Sequence, residues 1–280
     1  LIKTYLSTKQ ITCLLVYSFT RLLIYQNMKY KAIILDLDGT LTNDAKEITP
    51  KTKAALMAAQ DKGVRIVLAS GRPTYGIKHL ADELEIGSHG GFIMAYNGGC
   101  IIDWSTQEII YNTVLDEQLV PELYEAAREQ ECEILTYQGD SIATTRVKNK
   151  YVMHEAFINK MPLIEYSDFV QQVVHPINKC LIVGDPKIVA PLEKHLAEKM
   201  EGRMSVYRSA AFFLECVPLG IDKAASLSFL IGRLGIKQEE TIAVGDGYND
   251  LSMIRFAGLG VAMANAAREV QDVADYITYS

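Results

Sequence analysis

The sequence predicts an α/β fold, a doubly wound and mostly parallel sheet core with an inserted α+β domain. Three observations predict it. Continuous apolar runs at Ala32–Leu35, Val64–Ala69, Phe92–Ala95, Thr241–Val244 and Gly260–Met263 suit strands covered on both faces. Helix-length stretches separate those runs, and strand–helix–strand repetition implies parallel pairing with right-handed crossovers. Between residues 113 and 217 the order becomes strand-rich, which reads as a second domain inserted into the first. A chain of 280 residues has room for both, since domains run to about 100–200 residues.

Taken in order, residues 1–27 stand apart. They hold Lys3, Lys9 and Arg21 and no acid, so the rest of the chain carries −9 against −6 for the whole. Ile11–Tyr25 is apolar, but Arg21 interrupts it and no small-residue cleavage site follows. Spanning a bilayer takes about 20 apolar residues. The segment is read as a non-native or disordered leader, with Met28 as the natural start, and no membrane association is expected. Residues 28–112 form the first part of the core. Thr49 caps a helix with Pro50 at its first position, ending at Gly63. A second helix spans Thr74–Glu85. Asn97-Gly98-Gly99 is a turn between strand-like pieces, and Cys100–Asp103 with Glu108–Asn112 reads as a hairpin.

Residues 113–217 are the insertion. A helix is expected at Asp116–Glu131 and strands at Glu133–Tyr137 and Ser141–Thr145, then more helix. Strand Ile177–Val183, helix Pro186–Met200 and strands Met204–Arg208 and Phe212–Val217 complete it. Residues 218–280 return to the core, with a helix capped by Asp222 and stopped by Gly235, and another at Tyr248–Ala257.

Composition narrows the function. With 49% hydrophobic and 22% charged residues the chain is an ordinary globular protein, which excludes collagen-like, coiled-coil and disordered classes. A net charge of −6 lacks the basic footprint of a nucleic-acid binder. Five scattered cysteines without a CxxC pattern give neither a disulfide framework nor a zinc cluster, and a reduced, cytoplasmic setting is expected.

The chemistry gathers at strand ends. Asp36-Leu37-Asp38-Gly39-Thr40 follows Ala32–Leu35 directly. Its two carboxylates, two residues apart, project to one side, at the strand end that faces the ligand crevice of such sheets. Paired this closely they call for a cation or a shared proton; the bland alternative is a solvated turn. Gly245-Asp246-Gly247-Tyr248-Asn249-Asp250 ends a second strand with further carboxylates, a donor set for magnesium. It lacks the third glycine of a dinucleotide fingerprint. Ser70-Gly71-Arg72 ends a third strand and opens a helix, where a hydroxyl and free amides receive anions. Lys223 begins the helix after Asp222, a position where its charge opposes the helix dipole.

In this order the four segments resemble the haloacid-dehalogenase-like (HAD) phosphatase superfamily. The wording LASGRP, AYNGG, FLECVP and AVGDGYNDLSMIRFAGLGVAMANA is similar to its Cof-type branch, across residues 28–280. The resemblance implies a HAD-like Rossmannoid core and a large, mobile α/β cap of the C2 type at residues 113–217. It implies that Asp36 is the nucleophile of an aspartyl-phosphate mechanism and Asp38 the general acid and base. Mg²⁺ would be held by Asp36, the Asp38 main-chain carbonyl and Asp246, with Asp250 beside it as a ligand or through water. Leu37, Ser70, Gly71, Lys223 and Asn249 would bind the phosphoryl group, with Leu37 and Gly71 acting through their amides. The implied substrate is a small phosphorylated metabolite, a sugar phosphate or a flavin- or pyridoxal-type phosphate. A phosphosugar mutase is the alternative on the same fold, and a non-catalytic phosphate sensor the alternative of another class. Asp38 stands where the superfamily's ion pumps carry Thr, which argues against a pump. Two departures stand out. Ala224, not Gly, follows Lys223, and the chain stops at Ser280, where relatives continue with a short acidic turn and a helix, which suggests either truncation or a further tail.

Overall fold

The computed structural model describes residues 29–279, and the leader expected at residues 1–27 lies outside them. In chain order the strands are β1 Ala32–Leu35, β2 Arg65–Ala69, β3 Phe92–Ala95, β4 Cys100–Asp103, β5 Glu108–Asn112, β6 Glu133–Gln138, β7 Ser141–Thr144, β8 Leu163–Glu165, β9 Cys180–Val183, β10 Ser205–Ala210, β11 Phe213–Val217, β12 Thr241–Gly245, β13 Leu259–Ala262 and β14 Tyr276–Ile277. The helices are α1 Pro50–Gln60, α2 Thr74–Glu83, α3 Val120–Glu129, α4 Lys150–Asn159, α5 Phe169–Gln172, α6 Pro186–Lys199, α7 Lys223–Leu234, α8 Leu251–Phe256 and α9 Arg268–Gln271. The chain divides into two compact units. One holds the described residues through Gly71, Ile77–Ile110 and the chain from Asp222; the other holds Arg72–Gly76 and Tyr111–Ile221.

The first unit is built on an eight-stranded sheet in the order β14-β13-β12-β1-β2-β3-β4-β5. Every pair from β14 to β3 is parallel, and β4 runs antiparallel to β3. The fold class is therefore the mixed α/β one expected. Leu35 at the end of β1 lies level with Leu68 on β2 and Val244 on β12. The residues leaving those three strands, Asp36, Ser70 and Asp246, thus emerge along one edge of the sheet. The central strands read apolar throughout because both faces are covered: Ile34, Ile66, Val67, Leu68 and Ile93 are fully buried.

Local chemistry fixes the helix ends. The Thr49 hydroxyl accepts from the Thr52 amide at 3.2 Å, with Pro50 at the first helical position. Asp222 accepts from the Ala225 amide at 2.9 Å, and Gly235 stops α7 in the left-handed region. Where the structure departs from the sequence reading, side chains explain most of it. The helix expected at Asp116–Glu131 starts as a 3₁₀ turn at Glu117–Leu119, and α3 runs only from Val120 to Glu129. The helix expected at Tyr248–Ala257 begins as a 3₁₀ turn over Tyr248–Asp250, because the Asp250 carboxylate folds back onto the Asp246 and Gly247 amides. The strand expected from Ile177 starts at Cys180; the Asn178 side chain is turned to Asn112 and the Thr113 carbonyl. Strands β8 and β14, three and two residues long, are too short to show a period.

The second unit carries a six-stranded sheet, β10-β11-β9-β6-β7-β8, antiparallel except for β7 with β8. Alternation sorts its side chains by face. Ile134, Ile182 and Leu214 join Leu123 and Leu196 from α3 and α6, and Phe169 from α5, in one apolar cluster. Tyr137 and Glu215, at odd positions on β6 and β11, and Lys179, directly before β9, belong to the other face. There Lys179 Nζ donates to Glu215 at 2.9 Å and Tyr137 OH donates to Glu155 at 2.7 Å.

Burial raises the Glu155 carboxyl above its ordinary value, despite Lys179 and the Tyr137 and Asn159 hydrogen bonds, and Glu215 adds to the rise. A carboxyl raised on folding favours the folded state below its unfolded pKa, and that contribution fades as pH climbs through the folded pKa. Glu155→Gln should therefore match the parent in thermal midpoint near pH 4 and exceed it at pH 8. A variant less stable at pH 8 would show that ion pairing outweighs burial here.

Candidate active site

The site lies in the first unit, at the sheet edge where β1, β2 and β12 end. Asp36 is the first residue beyond β1, and its amide donates to the Val244 carbonyl at 3.0 Å. It is 6% exposed, Asp250 is 0% and Lys223 is 1% exposed, so three charged groups share a dry place. Lys223 Nζ sits among them. It donates to Asp36 Oδ1 at 2.8 Å, to Asp250 Oδ1 at 2.5 Å and to the Ala69 carbonyl at 3.0 Å. An ammonium has three donors, and all three are used. The other Asp250 oxygen accepts from the Asp246 and Gly247 amides at 3.1 and 2.9 Å.

Electrostatics follow from that geometry. Burial pushes the Asp36 carboxyl up to about 7; Lys223 pulls it down, while Asp250 and Asp246 raise it further. Burial alone would lower the Lys223 ammonium, but the two carboxylates reverse the sign and hold it above its ordinary value. Asp246 is raised, first by burial and then by Asp250 and Asp38, against the Thr40 hydrogen bond and Lys223.

Asp36, Asp246 and Asp250 offer carboxylate oxygens within 4.8 Å of one another. Three carboxylates against one ammonium leave two negative charges, which a divalent cation balances. All the donors are oxygen, the set preferred by hard cations. The residues therefore fit a divalent metal. Asp250 is the most deeply buried of the three, with one oxygen on Lys223 and the other on two backbone amides.

The remaining expected residues are placed by the same turns. Leu37 is fully buried, and its carbonyl accepts from the amide and hydroxyl of Thr42, each at 2.9 Å. Gly39 turns the chain at φ 83°, and a side chain there would collide with the Asp246 carboxylate. Asp38 pairs with Lys46 at 2.7 Å. Ser70 is buried with its amide on the Met94 carbonyl, and Gly71 follows it. Asn249 is exposed and donates to Asn97 at 2.9 Å.

The fold also recruits residues the sequence did not single out. Thr40 and Asn265 each donate to one Asp246 oxygen, both at 2.9 Å, so that carboxylate is fixed from two loops. Lys46 reaches Asp38 from a turn in which it adopts φ 60°. Thr40 lies inside DxDGT, Asn97 inside AYNGG and Asn265 at the end of the long motif, yet none of them had a role in the sequence reading, and Lys46 lies outside every motif.

A family model described as haloacid dehalogenase-like hydrolase matches residues 33–280. The chain belongs to the haloacid dehalogenase-like hydrolases. A haloacid dehalogenase-like hydrolase from Bacteroides thetaiotaomicron, solved by crystallography, superposes with a TM-score of 0.87 at 53% identity, covering 89% of this chain and 94% of that one. The Bacillus subtilis protein YxeH, provisionally named a phosphatase, is 32% identical over 90% of this chain and 93% of its own length. The 5-amino-6-(5-phospho-D-ribitylamino)uracil phosphatase YcsE of the same organism is 28% identical over 90% of this chain and 91% of its own. The Cof-type assignment stands with these matches. Among the described residues no helix is long and apolar enough to cross a membrane.

Lys223→Met would leave two buried carboxylates facing each other. The expected loss is about 3–5 kcal/mol of unfolding free energy, read by urea denaturation at pH 8 in EDTA. A loss below about 1 kcal/mol would mean that the carboxylates protonate or part instead.

Proposed function

We propose that this enzyme, a hydrolase of phosphoric monoesters, releases phosphate from small phosphorylated metabolites through a covalent intermediate on Asp36, with Mg²⁺ as its metal. One observation carries the reading: a buried carboxylate at a strand end, held by a buried lysine and grouped with Asp246 and Asp250. The substrate class draws on the relative named for a phosphorylated ribitylaminouracil.

In the proposed reaction an Asp36 oxygen attacks phosphorus and the ester P–O bond breaks. Asp38 protonates the leaving oxygen, then takes a proton from the water that hydrolyses the acyl phosphate. Bound Mg²⁺ supplies positive charge to the phosphoryl oxygens. Asp36, the Asp38 carbonyl and Asp246 would hold it, and Asp250 would support it from behind. Lys223 keeps a cation beside the nucleophile, while Ser70, Asn249 and the amides of Leu37 and Gly71 supply donors to the transferring group. Such transfer depends mainly on positioning and charge stabilisation. Residues 113–217 serve as the cap domain.

Asp36→Asn should lower Mg²⁺-dependent phosphate release by at least 10³-fold, a floor set by comparison with single-donor losses of about 10²–10³, and leave the circular dichroism spectrum unchanged. EDTA should abolish release and added Mg²⁺ should restore it. The assay runs over a panel of metabolite phosphates. Turnover retained in the variant would overturn the role of Asp36. Formation of hexose 6-phosphate from hexose 1-phosphate, without free phosphate, would replace hydrolysis by mutase chemistry.

A further inference from the structure

The turn between β3 and β4 is the most contorted stretch of backbone near the site. Tyr96, Asn97 and Gly98 follow one another in the left-handed region, at φ 54°, 56° and 98°. Asparagine tolerates that region and a bulky aromatic does not. Such a conformation persists only where its surroundings over-determine it. Here they do. The Asn97 amide donates to the Ser70 carbonyl at 2.9 Å. Ser226, on α7 one turn beyond Lys223, donates to the Gly98 carbonyl at 3.0 Å. Gly98 is obligatory, because a side chain there would strike Ser226.

The contortion delivers one side chain. Asn97 Oδ1 accepts from Asn249 Nδ2 at 2.9 Å. Its own Nδ2 stands 3.3 Å from where a side chain on Gly71 would begin. A single turn, remote in sequence from all four chemical segments, thus touches three of them: Ser70–Gly71, helix α7 with Lys223, and the turn that carries Asn249.

We infer that Asn97 is a positioning residue for phosphoryl transfer, which fixes the carboxamide of Asn249 by accepting one of its two amide hydrogens. Asn249 is exposed, and without a fixed partner its carboxamide rotates and swaps donor for acceptor. With one hydrogen on Asn97, the nitrogen end is held and its second hydrogen remains for a phosphoryl oxygen. A donor that is already oriented is the kind that stabilises a transition state. The inference rests on the hydrolase reading and on Asn249 as a phosphoryl donor.

The test is a double-mutant cycle with p-nitrophenyl phosphate and Mg²⁺, measuring kcat, KM and thermal midpoint. Asn97→Gly suits the backbone, since glycine accepts φ 56°, so the midpoint should move little. Its kcat should fall about ten- to hundredfold, the usual scale for losing an orienting partner. Added to Asn249→Ala, the same change should cost nothing more, because Asn97 acts through Asn249. A kcat at the parental level in Asn97→Gly, or losses that multiply in the double variant, would overturn the inference. Should Asn97→Gly fail to fold, Asn97→Asp decides. It keeps an oxygen acceptor for Asn249 and should hold kcat while its charge raises KM; loss of kcat there overturns the inference too. A parent that releases no phosphate from any substrate would instead sink the hydrolase reading, and this inference with it.

Discussion

The Lys223 ammonium is the constraint around which the site is organised. It is wholly buried and its three hydrogens go to Asp36, Asp250 and the Ala69 carbonyl. Those acceptors come from the ends of β1 and β2 and from the turn after β12, so one cation ties three loops that leave parallel strands. Charges buried this deeply are tolerable only when paired and hydrogen-bonded. The parallel register of β1 with β2 and β12 meets that condition by setting the three strand ends level.

Around this centre the protein holds each proposed site group with a partner side chain. Asp246 is gripped by Thr40 and Asn265, Asp38 by Lys46, and Asn249 by Asn97. None of these partners need touch a reacting atom to matter. Their effect is to fix the orientation of carboxylates and carboxamides before a substrate arrives, and electrostatic catalysis depends on that. Asp250 is the clearest case. The sequence marked it as a metal-side carboxylate, and in the fold both its oxygens already serve the chain, one for Lys223 and one for the turn that presents Asp246.

Much of this was legible in the chain. Apolar runs such as Ala32–Leu35 read as buried strands because both faces of the sheet are covered, which leaves no alternation to confuse. Thr49-Pro50 and Asp222 with Gly235 mark helix ends through their own side-chain and backbone chemistry. The acid pairs at Asp36 and Asp246 stood out because carboxylates directly after apolar strands need a reason. Asn97 and Asn265 lie in motif segments but their roles are not legible there, and Lys46 lies in none, since a lysine or asparagine in a loop has the same local appearance whether it is solvated or engaged. The first turn of the expected helix at Tyr248–Ala257 is 3₁₀ instead of α, because a side chain folds onto its own backbone there, which periodicity does not record.

The sequence by itself determined the fold class, the order of the chemical segments and the family, because these depend on local pattern and on residue types at short spacing. Only the tertiary structure decided that Lys223 is spent on Asp36, Asp250 and Ala69, that Asp250 faces inward to the chain, and that a left-handed turn at Tyr96–Gly98 brings Asn97 to Asn249 across 152 residues. Those facts depend on strand register and on which loops meet at one sheet edge. Contacts between residues so far apart in the chain arise only when the whole sheet has closed.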